Sequence, residues 1–312
     1  MKKTGESRSG KNKLVAAVLV ILLILVGIIG ETVISYHWIK VNSYPVTVKD
    51  TMGTDVITDA GLRIVVIADL HDHEFGSGNE RLIRDIEKEK PQMIILDGDI
   101  LNEDSKSDQV PVTLVKNLAE IAPVYYALGN HELAYIGSTE GDEMQGHPLN
   151  SELVRDLTAA GACVLEECYQ DVEIDGCKVR IGGMYSYAFA LDGADSAENL
   201  SGSTREFMED FQNTDRYKIL LCHRPDSVVF GDASDYWNVD LVISGHDHGG
   251  QVVIPFKGGL YGGDQGWFPT YVHGIYPLGK MELFVTSGLS SERQMLPRWN
   301  NRPEIAVLQL KK

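Results

Sequence analysis

Hydrophobic and polar positions alternate regularly over most of the chain after residue 60. Short apolar runs that are typical of buried strands lie at Leu62–Ala68, Met93–Leu96, Val124–Leu128, Lys218–Leu221 and Leu241–Ser244. Between these runs, apolar residues recur with helical spacing at Glu80–Glu89, Val112–Ile121 and Ser151–Ala160. Ser151 is a suitable N-cap for the last of these helices, and Gly161 a suitable stop. Strands that alternate with helices predict an α/β domain with a parallel or mixed sheet.

The pattern changes after Gly161. Two strand-like runs flank Asp175–Gly176, a dipeptide that is typical of a hairpin turn. Further strand-like runs lie at Gln251–Ile254, Met281–Thr286 and Glu304–Leu310. A second sheet packed on the first fits this mixture better than one doubly wound sheet. Residues 35–60 are interpreted as a connector with some strand character, ahead of a domain at 61–312.

The N-terminal region contains one continuous apolar run, Leu14–Gly30, without a charged residue. As a helix it would span roughly 25 Å, near the minimum for crossing a bilayer, and extension to Ile34 would lengthen it. We therefore predict a transmembrane anchor at residues 14–34, preceded by a cytoplasmic basic tail at 1–13. A cleaved signal peptide is the alternative, but its apolar region is usually shorter, and no small-residue cleavage site follows Gly30.

Charges around this run predict its orientation. The cationic residues of the tail are Lys2, Lys3, Arg8, Lys11 and Lys13, against the single acid Glu6. Because Lys and Arg stay on the cytoplasmic side, the N-terminus is expected inside and the body outside. Tyr36 and Trp38, just after the run, suit either the membrane interface or packing against the body. The prediction is a single-pass protein of the cell membrane with an extracytoplasmic body.

The chain is strongly acidic, with a formal net charge of −17 at pH 7. Since the tail is basic, the body is more acidic still, and no basic stripe is present that would follow a phosphate backbone. Nucleic acid is therefore disfavoured as the main partner. An acidic surface of this kind is otherwise typical of a soluble body. The sequence leaves the oligomeric state open.

Cysteine usage adds little. The four cysteines lack the C-x-x-C spacing of a zinc ribbon or a redox motif; they are Cys163, Cys168, Cys177 and Cys222. Cys163 and Cys177 flank strand-like segments, so a disulfide outside the cell and buried free thiols both stay open.

Each of the predicted buried strands is followed at once by residues whose side chains can bind metals. In chain order the runs lead into D-L-H at residue 69, D-G-D at 97, G-N-H-E at 129, H at 223 and G-H-D-H at 245. In open α/β sheets, ligands collect beyond the carboxyl ends of the strands. A single D-x-H or G-D is usually a turn or a cap. The whole ordered set, each member at a strand end, has no comparably good structural explanation and predicts a metal site.

This ordered set resembles the calcineurin-like metallophosphoesterase family, whose pattern is D-x-H, G-D, G-N-H-[DE], H and G-H-x-H. The resemblance covers residues 62–310. The runs GHDHGGQVVIP, LYGGDQGWFPTYVHGIY and RWNNRPEI further resemble the membrane-associated bacterial branch of that family. The resemblance implies an α/β fold, a four-layer α/β/β/α sandwich of two mixed sheets, here preceded by the N-terminal transmembrane helix.

The resemblance also implies a site with two metal ions bridged by Asp99. The ligands of the first ion would be Asp69, His71 and His248. The ligands of the second ion would be Asn130, His223 and His246. His131 would face the substrate as a general acid, a role that suits a group with a pKa near 6.5, and Asp69 or Glu132 would orient its ring.

Carboxylate, imidazole and amide ligands without thiolate suit Mn²⁺, Fe or Zn²⁺. Two such ions can clamp the attacking and leaving oxygens at phosphorus, with a hydroxide held between them as the nucleophile. We therefore expect hydrolysis of a phosphodiester, phosphomonoester or diphosphate at the membrane surface, on a phosphorylated small molecule or a lipid-linked substrate. The alternatives are a non-catalytic membrane-tethered metal- or phosphate-binding protein and a nucleotide phosphodiesterase of broad specificity.

Two further residues are weaker candidates for substrate binding. Arg224 follows His223 and could contact phosphate, although bonding to nearby carbonyls is equally plausible. His273 lies in a stretch rich in glycine and aromatic residues, where it could line a groove or pack beneath a long loop.

Overall fold

The computed structural model describes residues 5–48, 56–140, 147–185, 196–291 and 294–312. Within these ranges the α-helices are α1 (Gly5–His37), α2 (Glu80–Lys88), α3 (Gln109–Ala119), α4 (Asn130–Glu140), α5 (Glu152–Ala160), α6 (Gly202–Phe211), α7 (Asp226–Val229) and α8 (Ala233–Tyr236). The strands of the first half are β1 (Lys40–Thr47), β2 (Leu62–Ile67), β3 (Met93–Asp97), β4 (Val124–Ala127), β5 (Ala162–Leu165), β6 (Cys168–Ile174) and β7 (Cys177–Gly183). The strands that follow are β8 (Tyr217–Leu221), β9 (Leu241–Ser244), β10 (Val253–Ile254), β11 (Gly258–Gly259), β12 (Tyr261–Gly262), β13 (Gly266–Trp267), β14 (Gly274–Leu278), β15 (Met281–Val285) and β16 (Glu304–Lys311).

The longer strands form two six-stranded sheets. The first has the order β1-β16-β2-β3-β4-β5, with β16 antiparallel to β2 and the other neighbours parallel. The second has the order β14-β15-β9-β8-β7-β6, with antiparallel pairs at its two edges. Both sheets are therefore mixed, as predicted.

Strand β2 shows why the sheets stack. Successive side chains of a strand point to opposite faces. Ile64 and Val66 enter the apolar core between the two sheets, whereas Val65 and Ile67 enter the core beneath α2, α3 and α5. The outer face of the second sheet packs against α6 and neighbouring segments. The result is the expected four-layer α/β/β/α sandwich.

Local signals in the sequence act as predicted. The Ser151 hydroxyl accepts a hydrogen bond from the Val154 amide at 3.3 Å and caps α5, and Gly161 ends the helix with φ of 114°. Asp175 and Gly176 both have positive φ and join β6 to the antiparallel β7, which is the geometry of a hairpin turn.

All four cysteines are free thiols.

Part of the predicted connector belongs to the first sheet. Strand β1 lies inside residues 35–60 and pairs with β16 along its whole length. Val46 and Val48 at its end are buried in the core between the sheets. Its alternating exposed polar residues hide this role in the sequence. Residues 49–55 of the connector and residues 1–4 of the basic tail lie outside the described residues.

Helix α1 contains the predicted anchor. Its segment Asn12–His37, 26 residues, is long and apolar enough to cross a bilayer, and a signal sequence would satisfy the same criterion. The last turn docks on the body. The Ser35 hydroxyl accepts a hydrogen bond from the Asn301 amide at 3.3 Å, and the Tyr36 hydroxyl accepts one from the Arg298 amide at 3.0 Å. The helix therefore passes directly into the packed body.

Candidate metal centre

Turns at the carboxyl ends of the strands carry the predicted metal-binding residues. Asp69 and His71 follow β2, Asp99 follows β3, and His246 and His248 follow β9. All five have φ between 47° and 66°, a left-handed conformation that is rare for residues other than glycine. Such conformations cost of the order of 1 kcal/mol each and cluster at functional sites. The chain turns sharply at each position and brings these side chains together.

The first cluster contains Asp69, His71 and His248. Their ligand atoms lie within 4.8 Å of one another, and all three residues are buried. The distance between His248 Nε2 and Asp69 Oδ1 is 3.8 Å. These are the residues that sequence analysis grouped around the first ion.

The second cluster contains Asp99, His223 and His246, again within 4.8 Å. His223 Nε2 lies 3.1 Å from Asp99 Oδ2 and 3.8 Å from Asp69 Oδ1. On the other side, His71 Nε2 lies 3.9 Å from the same Asp99 oxygen. The two clusters therefore adjoin, with Asp99 between them.

Asn130, the remaining predicted ligand, is the first residue of α4. Its Oδ1 atom is buried and has no hydrogen-bond partner within the part of the chain that the structure describes. The next residue, His131, donates its backbone N–H to Asp99 Oδ1 at 2.8 Å. A buried amide oxygen without a partner is costly, and a bound cation would offset that cost.

Hydrogen bonds at the imidazole rings test whether the site fits a metal. The Nδ1 atoms of His71, His223 and His248 lie 3.2, 2.5 and 2.7 Å from Asn102 Oδ1, the Asp97 carbonyl and the Ser290 carbonyl. Because these oxygens can only accept, each Nδ1 donates, and the Nε2 lone pair of a neutral ring stays available to a cation. Metal-binding histidines are usually held in this way. The donor set fits divalent metals.

Burial strongly affects ionisation at the site. It raises the pKa of Asp69 to about 7 and lowers the pKa of His71 to about 4. It also raises the pKa of Asp97 to about 8. Burial opposes the charge on His223 as well, but the adjacent Asp99 carboxylate outweighs it and raises the His223 pKa. Divalent cations would stabilise the ionised carboxylates and favour neutral imidazoles.

Glu132, the last residue of the G-N-H-E run, holds the turn after β3 in place. Its buried carboxylate accepts hydrogen bonds from the amides of Gly129, Asp99 and Ile100, each at 2.8 Å, and from the Tyr126 hydroxyl at 2.7 Å. Glu132 is one of the two residues expected to orient the His131 ring. Its carboxylate instead positions Asp99.

Glycines allow the turns to approach each other. A Cβ atom on Gly129 would lie 2.2 Å from Asp99 Oδ1, and one on Gly288 would lie 2.6 Å from Asp69 Oδ2. Atoms cannot approach so closely, so a side chain at either position would displace a predicted ligand.

His131 lies beside Asp99 and His71, and the three form a further group of possible metal ligands. Its Nε2 atom is 3.9 Å from Asp99 Oδ2, and its ring packs edge-on against His71 with centroids 4.6 Å apart. The Glu103 backbone N–H donates to His131 Nδ1 at 3.2 Å. The ring is therefore oriented by Glu103, and the neutral form carries its proton on Nε2.

Arg224 lies beside the second cluster and forms an ion pair with Asp264. Asp264 in turn lies 3.7 Å from His246 Nε2 and forms a further group with Asp226 and His246. Asp264 is not among the predicted site residues, because it lies in a glycine-rich segment away from the longer strands. Arg224 is thus near the site, with an acidic partner.

His273 lies outside the two metal-binding clusters. Its Nε2 atom lies 3.0 Å from Glu304 Oε1 and 2.8 Å from the Tyr44 hydroxyl. It lines a cavity of about 580 Å³ together with Gly249 and Ser287. Within the described part of the chain, His273 belongs to none of the clusters that could bind a metal ion.

Arg298 holds the loop that contacts the first cluster. Its fully buried guanidinium donates to the carbonyls of Ser287, Gly288 and Ser290, at 2.7, 2.9 and 3.3 Å. The Ser290 carbonyl is also the acceptor for His248 Nδ1. Arg298 belongs to the run RWNNRPEI, but nothing in that run's pattern indicates a buried charge.

Comparison with known proteins agrees with this geometry. The family model for calcineurin-like phosphoesterases matches residues 62–250. The chain is 29% identical over 257 residues to the uncharacterized metallophosphoesterase YkuE of Bacillus subtilis, covering 80% of this chain and 79% of YkuE. It is 28% identical over 256 residues to the phosphodiesterase YaeI of Escherichia coli, covering 80% and 83%.

Solved structures include similar folds. One is the phosphopantetheinyl hydrolase PptH of Mycobacterium tuberculosis, with a TM-score of 0.46 and 16% sequence identity. The match covers 81% of this chain and 96% of PptH.

Proposed function

Because the chain belongs to the calcineurin-like phosphoesterase family, a family of metal-dependent phosphoester hydrolases, we propose that it hydrolyses phosphoesters at the outer face of the cell membrane. The anchor would be α1, with the N-terminus in the cytoplasm and the body outside. The substrate would be a phosphodiester or diphosphate, soluble or linked to a lipid. The name of YaeI as a phosphodiesterase supports the diester.

One observation supports action at the membrane above all others. Asn301 joins the last turn of α1 to the metal centre. Its backbone N–H donates to Ser35 Oγ at 3.3 Å, and its side-chain amide donates to the His248 carbonyl at 2.7 Å. Nearby, His73 stacks on His37 with centroids 5.9 Å apart. A predicted metal ligand therefore lies two hydrogen bonds from the end of the anchor, which favours substrates at the bilayer surface.

The site residues supply positioning and a proton. Two divalent metal ions (Mn²⁺, Fe or Zn²⁺), when bound, polarise the phosphoryl group and activate water. Asp69, His71 and His248 would hold one ion. Asn130, His223 and His246 would hold the other, and Asp99 would contact both. Most of these ligands are buried, with Asn130 and His246 half-buried, and burial strengthens their electrostatic interactions with the substrate.

His131 is the proposed general acid. Its Nε2 atom lies 3.9 Å from Asp99 Oδ2, beside the predicted metal ligands. In the imidazolium form of the ring, the Nε2 proton would pass to the oxygen of the departing alcohol and leave a neutral ring, a step that typically contributes about 10²- to 10⁴-fold.

The decisive experiment measures metal content and turnover together. The full chain is purified in detergent micelles without chelator, and hydrolysis of bis(p-nitrophenyl) phosphate and of a lipid diphosphate is assayed with and without EDTA. We expect about two metal ions per chain and turnover that EDTA abolishes. Bound metal without turnover of either substrate would favour a binding protein, and absence of metal would refute the proposed ligands.

The same assay separates the two candidate substrate classes. Turnover of the soluble diester without turnover of the lipid diphosphate would favour a nucleotide phosphodiesterase of broad specificity. The complete ligand set and the placement of His131 favour an enzyme over a non-catalytic protein.

A further inference from the structure

A cavity beside the end of the anchor forms a second candidate binding site. It has a volume of about 580 Å³ and reaches from Gly249, next to His248, to Lys40, near the start of β1. Among its described lining residues are the cations Lys40, Lys257 and Arg302, and no carboxylate. A cavity lined by three cations in a chain with a net charge of −17 is complementary to an anion.

Its position relative to α1 indicates what the anion is. The Arg302 guanidinium donates to the Trp38 carbonyl at 2.9 Å and to the Ile39 carbonyl at 3.0 Å, immediately after the helix ends at His37. Lys40 follows directly. The cavity therefore opens at the level where the anchor leaves the bilayer, where phospholipid headgroups lie.

One exposed aromatic side chain, Phe268, lines the cavity, and others stand next to its lining residues in the chain. Phe256, at the turn between β10 and β11, is fully exposed; the neighbouring Trp267 and Phe268 are 59% and 51% exposed. Lys257 Nζ lies 4.3 Å from the centre of the Phe268 ring. Trp38, at the end of the anchor, is 64% exposed. Aromatic rings next to lysines are typical of surfaces that rest on a membrane interface.

We propose that this cavity binds the phosphate headgroup of an anionic membrane phospholipid, with the aromatic side chains around it resting in the headgroup layer. The bound lipid would fix the body close to the bilayer, with the metal centre beside it. This proposal rests on the membrane anchoring proposed above and adds a lipid site separate from the metal ligands.

Lipid retention tests the proposal. The full chain in detergent micelles is titrated with phosphatidylglycerol or phosphatidylcholine, and native mass spectrometry counts the lipids retained per chain. The wild type is expected to retain one phosphatidylglycerol in preference to phosphatidylcholine. The double variant Lys40→Gln, Lys257→Gln is expected to bind it roughly tenfold more weakly or worse, since each lysine near an anionic surface adds favourable energy.

Lys116→Gln is the matched control, because Lys116 is an exposed lysine on α3 that does not line the cavity. It is expected to bind phosphatidylglycerol like the wild type. Equal retention by the double variant, or equal retention of phosphatidylcholine, would overturn the proposal. Displacement of the lipid by an equimolar amount of inorganic phosphate would also overturn it, because the cavity would then bind the free anion as tightly as the lipid.

The same mass spectra show whether a failure concerns the lipid site, the membrane anchor or the proposed hydrolysis. A measured mass of 34.5 kDa shows that the chain has kept α1. A lower mass, corresponding to loss of α1, would refute the anchoring on which the proposal rests. Because retention is measured without substrate turnover, its failure leaves the hydrolase assay unaffected.

Discussion

At the scale of single residues, Asp99 contacts both clusters. One carboxylate oxygen lies 3.1 Å from His223 Nε2 and 3.9 Å from His71 Nε2, and the other accepts the His131 amide. Asn at this position keeps the shape but loses the negative charge and one acceptor. We expect Asp99→Asn to lose bound metal and at least about a hundredfold in kcat/KM, more than changes outside the ligand shell usually cost.

Metal analysis and diester hydrolysis check this prediction on the same preparation. Asp85→Asn is the control, because Asp85 lies on α2, away from the metal centre, and pairs with Lys88. A variant at Asp99 that keeps both its metal and its activity would contradict the bridging role.

His131 is expected to affect proton transfer without affecting metal content. In His131→Ala the metal ligands stay in place, so the bound metal should be unchanged. Turnover of an ester with a poor alkyl leaving group should fall about 10²- to 10⁴-fold, and turnover of a p-nitrophenyl ester should fall less. His147→Ala, which removes an exposed imidazole, should change neither rate. Equal losses on both esters would count against the general-acid role.

Most of the candidate ligands could be predicted from the sequence because each directly follows a buried strand. Asp69 and His71 after LRIVVI illustrate this, since the strand identifies both the burial and the edge where the side chains meet. Asp264 and Arg298 could not be found in this way. Both lie in irregular segments, and only the folded chain shows that they approach His246 and Ser290.

At the scale of elements, Glu304 connects β16 to its neighbours. Its fully buried carboxylate accepts hydrogen bonds from Asn42, Tyr44 and Thr286 and pairs with His273. Burial opposes its ionisation, but His273 and these donors outweigh burial and lower the pKa of Glu304 to about 2. The ionised carboxylate therefore stabilises the contact between β1, β16 and the segment after β15.

This pKa predicts how stability depends on pH. The contribution of the ionised group is complete above its ordinary pKa of 4.5 and disappears as pH falls toward about 2. We expect Glu304→Gln to lower the free energy of unfolding by about 3 kcal/mol near neutral pH and by much less near pH 2. Denaturant titrations of the full chain in micelles measure the difference.

Glu120→Gln provides the comparison, since Glu120 is exposed at the end of α3. It should be close to the wild type at every pH. A difference between wild type and Glu304→Gln that stays constant from pH 7 to pH 2 would contradict the assigned pKa.

The sequence predicts elements well where the signal is local. The hairpin at Asp175–Gly176 and the cap at Ser151 are examples, because turn and cap chemistry depend on adjacent residues. Strand β1 is predicted only as strand character within a connector, and β14 is not predicted, since both are edge strands with mixed burial. The pairing of Lys40–Thr47 with Glu304–Lys311 depends on residues far apart in the chain.

At the scale of the whole molecule, the anchor predicts a side of the membrane. A green fluorescent protein fused after Lys312 should remain dark, because that protein does not mature when it is exported unfolded. A periplasmic reporter enzyme at the same point should be active. The control is the same pair of fusions on a chain that starts at Lys40. A bright fusion to the full chain would place the body in the cytoplasm.

The order of layers came from the family resemblance. The sequence left open that Tyr36 packs against the body, but it gives no sign that Ser35 and Tyr36 contact the segment around Arg298 and Asn301. That contact joins parts of the chain that are distant in sequence.

The place of β16 in the first sheet also sets the timing of assembly. This strand lies between β1 and β2, yet it is made after every other strand described. Until β16 has been synthesised, β1 and β2 have no common neighbour in this sheet, and non-local pairing of this kind is slow. The loop that contains Arg298 is also synthesised near the end of the chain. The metal centre should therefore form only once nearly all of the body has been synthesised, so that an incomplete chain lacks the assembled site.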